Sequence, residues 1–539
     1  MPPVHELAAA LVAADPVTAR RVGALDPRTG APTLALPRTD PEHLAALEAT
    51  LLAWSGEPTA APGTLAWLEQ RCVGAEVALR LVELRVARPW ARAPYWYVET
   101  LGDALAAVRP DLLPDEGYAA SYVDLLRSAA GFLSGAREHL LPEDVPRLWA
   151  QLAVPAAEGL HRMVTTDLPA LTERLPGGLH TLVHLLLRAL GAAVEDLLEH
   201  CRSLASTGAG TWSVGEEVFT GLLRDYHCLD LGVEELWQRG WDEVRAAEEG
   251  LVELAAELDP ARTWQEQVAE LRAQRTPAEE FLTAYRTETE RARRITLEHD
   301  LLTVPDDEEC VVEPLPEFRR AGLPLGEMRT VPAYATERVS RFFITPADPD
   351  ATPERRAGHE RENCPAFVRS IVGHETYPGH HLQSVHHQLG TDEDSFLRFF
   401  RMPLFVEGWG LYVEDLLEER VFGRSPQALF ARRNRLWRAL RVVIDTGLHT
   451  GRLGHEEAVS LLLDRTAMDR RMATGEVDRY TRHDNPTYPS TYVLGRDLFH
   501  RLRERFGDGM PLGRLHDALL AHGSPSLPLL ERVLEEELG

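Results

Sequence analysis

Long stretches of this sequence place apolar residues three and four positions apart, and only short proline and glycine clusters interrupt them. Leu79, Leu81, Val82, Leu84 and Val86 carry the spacing; the clusters at 55–63, 110–117 and 176–178 supply the punctuation. An apolar stripe of that period buries one side of a helix, so a chain built from such stripes must pack helix against helix. The stripes are set among Ala, Leu, Glu and Arg, which lose little freedom in a helix. The fold class expected is mainly α, a large multi-helix structure. Residues 301–346 depart from this pattern. The fragments 310–312, 330–334 and 341–345 are rich in β-branched and aromatic residues and are separated by prolines, which predicts a small β element around 305–346. Residues 203–213 are small and polar and read as a linker, 348–365 as a loop.

Charge and residue usage exclude several functions. Lys+Arg number 57 and Asp+Glu 84, a formal charge of −27. Nucleic acid and anionic lipid both need a basic surface. Every basic side chain is arginine, and no lysine occurs. Lysine Schiff bases, pyridoxal-phosphate attachment and the Walker-type phosphate loop are therefore excluded. Cys72, Cys201, Cys228, Cys310 and Cys364 stand far apart with no C-x-x-C pair, which fits a reducing compartment better than a disulfide framework. The apolar run 7–14 follows His5 and Glu6 rather than a basic segment, and reads as an amphipathic helix. The most apolar stretch, 181–198, is broken by His184, Arg188 and Glu195, too polar to span a bilayer. The expectation is a cytoplasmic protein with no nucleic-acid or membrane partner; no feature sets an oligomeric state.

The chain holds 21 histidines in 539 residues, about half of one per 14-residue window, yet 374–387 holds five: His374, His380, His381, His386 and His387. The segment reads H-E-T-Y-P-G-H-H-L-Q-S-V-H-H. The zinc-hydrolase motif H-E-x-x-H places its second histidine one turn after the first, but here Pro378 stands there. Ligand nitrogens sharing a zinc lie roughly 3.5 Å apart. On an unbroken helix His380 and His381 would be about 9 and 10.5 Å along the axis from His374. A kink at Pro378-Gly379 would fold the next turn back and set His380 or His381 beside His374. The competing reading is a plain Pro-Gly turn with histidines on solvated faces, and that reading is assigned to His386 and His387. A third ligand in helical zinc hydrolases comes from a downstream glutamate. Glu407 opens E-G-W-G-L-Y-V-E-D and shares a helix face with Glu414. Gly408 and Gly410 permit close packing, and Trp409 with Tyr412 suggests a buried wall.

These segments together resemble the bacterial family labelled domain of unknown function 885, with motifs of the form H-E-x-x-P-G-H-x-x-Q and E-G-W-x-L-Y-x-E. Three later blocks are similar to it as well: 438–449, 476–495 and 515–527. The likeness is specific over 365–530, looser over 215–350, and not traced in the first two hundred residues. It implies a helical fold similar to the thimet-oligopeptidase and thermostable-carboxypeptidase types of zinc peptidase. It also implies one Zn²⁺ per chain on His374, His380 and Glu407, with His380 preferred to His381; Fe²⁺ or Mn²⁺ would suit the same donors. The division expected is a helical N-terminal region, 1–205, and a helical catalytic region, 206–539, unless both form one bilobed unit.

The function expected is hydrolysis of peptide or amide bonds in a small substrate. Zinc would acidify a bound water and Glu375 would act as general base. Tyr492, Tyr488 and Tyr480 are candidate donors to the oxyanion, with Tyr492 at the family's Y-x-x-G position. Arg479 is a candidate for binding a substrate carboxylate. Asp445 and His449, one turn apart, would orient a ligand or form a structural hydrogen bond. Two other readings stand beside this one: a metal enzyme, iron included, acting on a non-peptide molecule, and a helical scaffold with a degenerate metal motif.

Overall fold

The computed structural model describes residues 3–538 except 317, 318, 321, 322 and 324. Helical residues outnumber strand residues 69% to 5%, so the mainly α class holds. Polar residues begin many of the helices. Asp115 accepts from the Tyr118 amide at the start of Glu116–His139, and Ser425 accepts from the Ala428 amide ahead of Pro426–His449. Such caps satisfy amides that the first turn leaves unpaired.

The apolar stripes close into three main cores. One joins the chain's beginning to its end, with Leu7, Leu51 and Leu68 packing in the same cluster as Phe405, Trp409, Phe499 and Leu530. A second has all its buried members within residues 31–204. The third joins 244–268 to 364–480. The first two hundred residues thus divide between two cores, and their earliest helices pack against the last third of the chain.

Two expected irregular segments are ordered differently. Helix His180–Thr207 runs into the expected linker, because Cys201 and Leu204 continue its buried stripe. The glycines that follow serve close contact: a Cβ on Gly210 would lie 2.2 Å from the Asp144 carbonyl oxygen, and one on Gly208 2.7 Å from that of Val145. The expected loop at 348–365 contains helix Pro353–Glu362, capped by Thr352.

The β element is a three-stranded sheet. Arg338–Ile344 lies in the centre, parallel to Glu308–Pro314 and antiparallel to Gly326–Arg329. Ser340 pairs with Cys310 in register. The sheet seats helix His380–Leu389: the Val331 amide donates to Ser384 Oγ at 3.1 Å, and Ser340 Oγ lies 2.8 Å from His381 Nδ1.

Candidate metal centre

Helix Pro365–Glu375 ends one residue after His374, and the next helix, His380–Leu389, begins at His380. The turn between them is tight. Thr376 donates its hydroxyl to the Val372 carbonyl at 2.7 Å, and Trp409 Nε1 donates to the Pro378 carbonyl at 2.9 Å. A Cβ on Gly379 would stand 1.8 Å from the His374 carbonyl oxygen, so only glycine closes this turn. The reversal brings the rings of His374 and His380 to 4.6 Å between centroids at 82°.

Helix Pro403–Leu417 passes beneath both rings. Glu407 Oε2 is 3.3 Å from His380 Nε2 and 3.6 Å from His374 Nε2. One ligand atom from each of the three buried residues falls within 4.8 Å of the others. One turn on, a Cβ at Gly410 would lie 2.5 Å from His374 Cε1 and 2.9 Å from His380 Cε1. Glycine at 410 is therefore what lets both imidazoles rest on this helix. The donor set fits a divalent metal: Glu407 Oε2 is buried without a hydrogen-bond donor, and its distances to the two nitrogens match those of ligands sharing a zinc, roughly 3.5 Å.

Further contacts fix these three side chains. His374 Nδ1 lies 2.8 Å from Glu414 Oε1, two turns beyond Glu407 on the same helix face. Tyr488 donates its hydroxyl to Glu407 Oε1. The Tyr492 ring stacks on His374 at 6.0 Å and 14°. Both tyrosines stand on helix Tyr488–Phe506, which crosses the Glu407 helix where Gly408 meets Gly495. Asp445 holds the start of that helix, accepting from the amides of Thr487 and Ser490 at 3.2 Å and from the Ser490 hydroxyl.

The electrostatics follow from burial and pairing. Burial opposes charge on Glu407, but the His380 and His374 imidazoles hold its carboxyl well below the usual range. Burial also opposes charge on His374, yet Glu407 and Glu414 push it up to about 9. Burial, with the charge of Glu407, pushes Tyr492 up to about 12, so its phenol keeps its proton at neutral pH.

The other predicted residues are placed as follows. Glu375 is half-buried at the end of the His374 helix, close enough for its charge to raise the His374 pKa. Arg479 is partly exposed, 3.7 Å from Glu476. Tyr480 is fully buried and donates to Glu476. His381 points away from the ligands, toward Ser340 and Glu308, with 2.5 Å between Nε2 and Glu308 Oε2. His387 corrects the expectation of a solvated face: it is buried, with Ser524 Oγ and the Arg398 carbonyl each 2.9 Å from a ring nitrogen. His386 is half-buried and reaches the Thr303 carbonyl. His449 contacts the Tyr480 carbonyl at 3.0 Å, and no atom of it or of Asp445 belongs to the triad. Sequence reasoning missed Glu308, which has no local signal, and Arg438 and Arg441, for which the apolar residues around them, Trp437, Leu440 and Val442 to Ile444, were the available clue.

Fold and site together define a helical protein with a candidate metal triad of two histidines and a glutamate. The chain belongs to the family described as bacterial protein of unknown function (DUF885), whose model matches residues 42–534. The match thus extends through most of the N-terminal region, where the motifs alone gave no trace. None of the curated proteins compared matches the chain. Among solved structures it is similar to a "putative lipoprotein of unknown function" from Shewanella oneidensis, with TM-score 0.78, 16% identity and 99% of each chain covered. It is also similar to a "putative lipoprotein" from Colwellia psychrerythraea, with TM-score 0.79, 18% identity and 100% of each chain covered. These likenesses carry the fold. Their description as lipoproteins runs against the cytoplasmic placement expected from the sequence, and that placement is withdrawn. Among the described residues no helix is long and apolar enough to cross a membrane.

Proposed function

We propose that this chain is a zinc-dependent hydrolase of peptide or amide bonds, holding one zinc on His374, His380 and Glu407. The observation that carries the reading is the convergence of three buried ligand atoms within 4.8 Å, with a second glutamate next in sequence to the first histidine. When bound, zinc would act as a Lewis acid and lower the pKa of water. Glu375 takes the proton of the attacking water and returns it to the leaving amine. Tyr492 presents a protonated phenol beside His374 and donates to the oxyanion that develops on the substrate carbonyl. Tyr488 has its hydroxyl on Glu407 and so holds that ligand instead of substrate. The description of the two structural neighbours as lipoproteins supports assaying the chain as an exported protein.

The test is metal content by plasma mass spectrometry on protein purified without added metal, beside His380→Ala, followed by turnover of peptide and amide libraries. About one zinc per chain, lost in the variant, is expected. Glu375→Gln should keep the metal and lose turnover; retained turnover refutes the general-base role. Iron or manganese at that stoichiometry would move the search to other chemistry. No tight metal after reconstitution would leave a helical binding protein.

A further inference from the structure

Three arginines gather around Tyr492. Arg438 and Arg441 stand on helix Pro426–His449 and are 4% and 3% exposed; Arg479 stands at the partly exposed rim. Two carboxylates meet them. Glu476 is 2.9 Å from Arg441 Nη2 and 3.7 Å from Arg479 Nη2, and Glu414 is 3.7 Å from Arg438 Nη2 while also facing His374. Three guanidinium groups therefore share two carboxylates, one of which already serves the metal centre.

Their donors are unmet as well. Nε and Nη1 of Arg438, Nε and Nη1 of Arg441, and Nε of Arg479 are buried with no hydrogen-bond partner. The surrounding rings do not fill that role. Arg438 Cζ lies 4.2 Å from the Trp437 ring centre, and Arg441 Cζ 4.4 Å from that of Tyr492. An aromatic face attracts the guanidinium's charge, but the N–H bonds lie in the guanidinium plane and need oxygen acceptors. Buried cations with idle donors are costly to keep. A planar fork of N–H groups matches the two oxygens of a carboxylate.

We propose that Arg438 and Arg441, with Arg479 at the rim, form an anion subsite that takes a free carboxylate of the substrate. Tyr492 touches both this subsite and His374, so the carboxylate sits one aromatic ring away from the metal ligands. An extended residue spans about 3.3–3.6 Å, so only one or two residues fit between that carboxylate and the bond cut. The substrate class is then a peptide or N-acyl amino acid cleaved at its C-terminal end. The cleavage part rests on the hydrolase reading above; the carboxylate binding does not.

The experiment is equilibrium capture at 4 °C of N-acetylated tripeptides of randomised sequence, offered once as free acids and once as C-terminal amides, with retained peptides counted by mass spectrometry. It is run on the protein as purified and again after chelation. At least tenfold retention of acids over amides is expected, in both states. Equal retention, or retention of neither, overturns the proposal. A preference lost on chelation places the carboxylate on the metal and also overturns it. Arg441→Met should abolish the preference and Arg441→Lys restore part of it, each compared at matched thermal stability; the acid–amide comparison on the parent decides the matter if either variant fails to fold. Acid preference without cleavage under any metal would leave the subsite standing and remove the hydrolase reading.

Discussion

Gly408 and Gly495 touch where their helices cross: a Cβ on Gly408 would lie 2.5 Å from the Gly495 Cα, and one on Gly495 2.0 Å from the Leu404 carbonyl oxygen. Two backbones this close leave no room for a methyl group. The crossing brings the Tyr488 hydroxyl onto Glu407 and lays Tyr492 on His374. Gly495→Ala should therefore cost about 1–3 kcal/mol, the usual range for overpacking. Urea unfolding of parent and variant checks this; an unchanged midpoint would show that the helices part freely.

Gly410→Ala tests the floor of the metal centre. The added carbon would meet His374 Cε1 at 2.5 Å and His380 Cε1 at 2.9 Å, both side chains of the candidate triad. Metal affinity should fall at least tenfold while the far-ultraviolet circular dichroism stays that of the parent. Competition against a fluorescent chelator reads the affinity, and parent-like binding would show that the rings can retreat.

Glu414→Gln separates a supporting group from a ligand. Glu414 faces His374 Nδ1 at 2.8 Å, on the ring edge opposite the one that faces Glu407. Losing such a partner typically weakens metal binding 10–100-fold without emptying the site. The same competition assay applies. Complete loss of metal would promote Glu414 to a ligand, and no change would reduce it to a bystander.

Stability should fall on acidification. Burial pushes His227 and His387 down to about 3 and His449 and His516 down to about 4. Unfolded, each takes a proton near 6.5, so between about 6.5 and 4 the unfolded chain binds more protons and stability drops by about 1.4 kcal/mol per pH unit for each histidine. Burial pushes Asp445 and Glu362 up to about 7, so these two lose stability as pH rises and partly offset the histidines. Four groups against two leave a net decline toward acid. Urea midpoints of the metal-loaded protein at pH 7.5, 6.0 and 5.0 should decrease in that order; a rise at pH 5.0 contradicts the assignment of these histidines as buried and neutral.

The sequence made the helices legible because stripe period and caps are local properties. The reversal at Pro378-Gly379 was legible for the same reason: a missing amide and a missing Cβ act within a few residues. The choice between His380 and His381 was not local. It depends on Ser340 and Glu308, some forty and seventy positions earlier, which draw His381 toward the sheet. Long-range pairing likewise hid the roles of Asp445, which holds a helix start 42 positions away, and of Arg441, which the Tyr492 ring covers from another helix. The polar stretch after 203 misled because its glycines answer to carbonyls in the turn at Asp144 and Val145, and no neighbour in sequence reveals that.

His380 and His381 are adjacent, so their side chains leave the helix about 100° apart, and each has its own fixed station. The pair works as a rotational key. Turning or sliding the helix by one residue would tear His381 from Glu308 as it moved His380. Evolution can therefore alter what surrounds this centre far more readily than the phase of the helix that builds it.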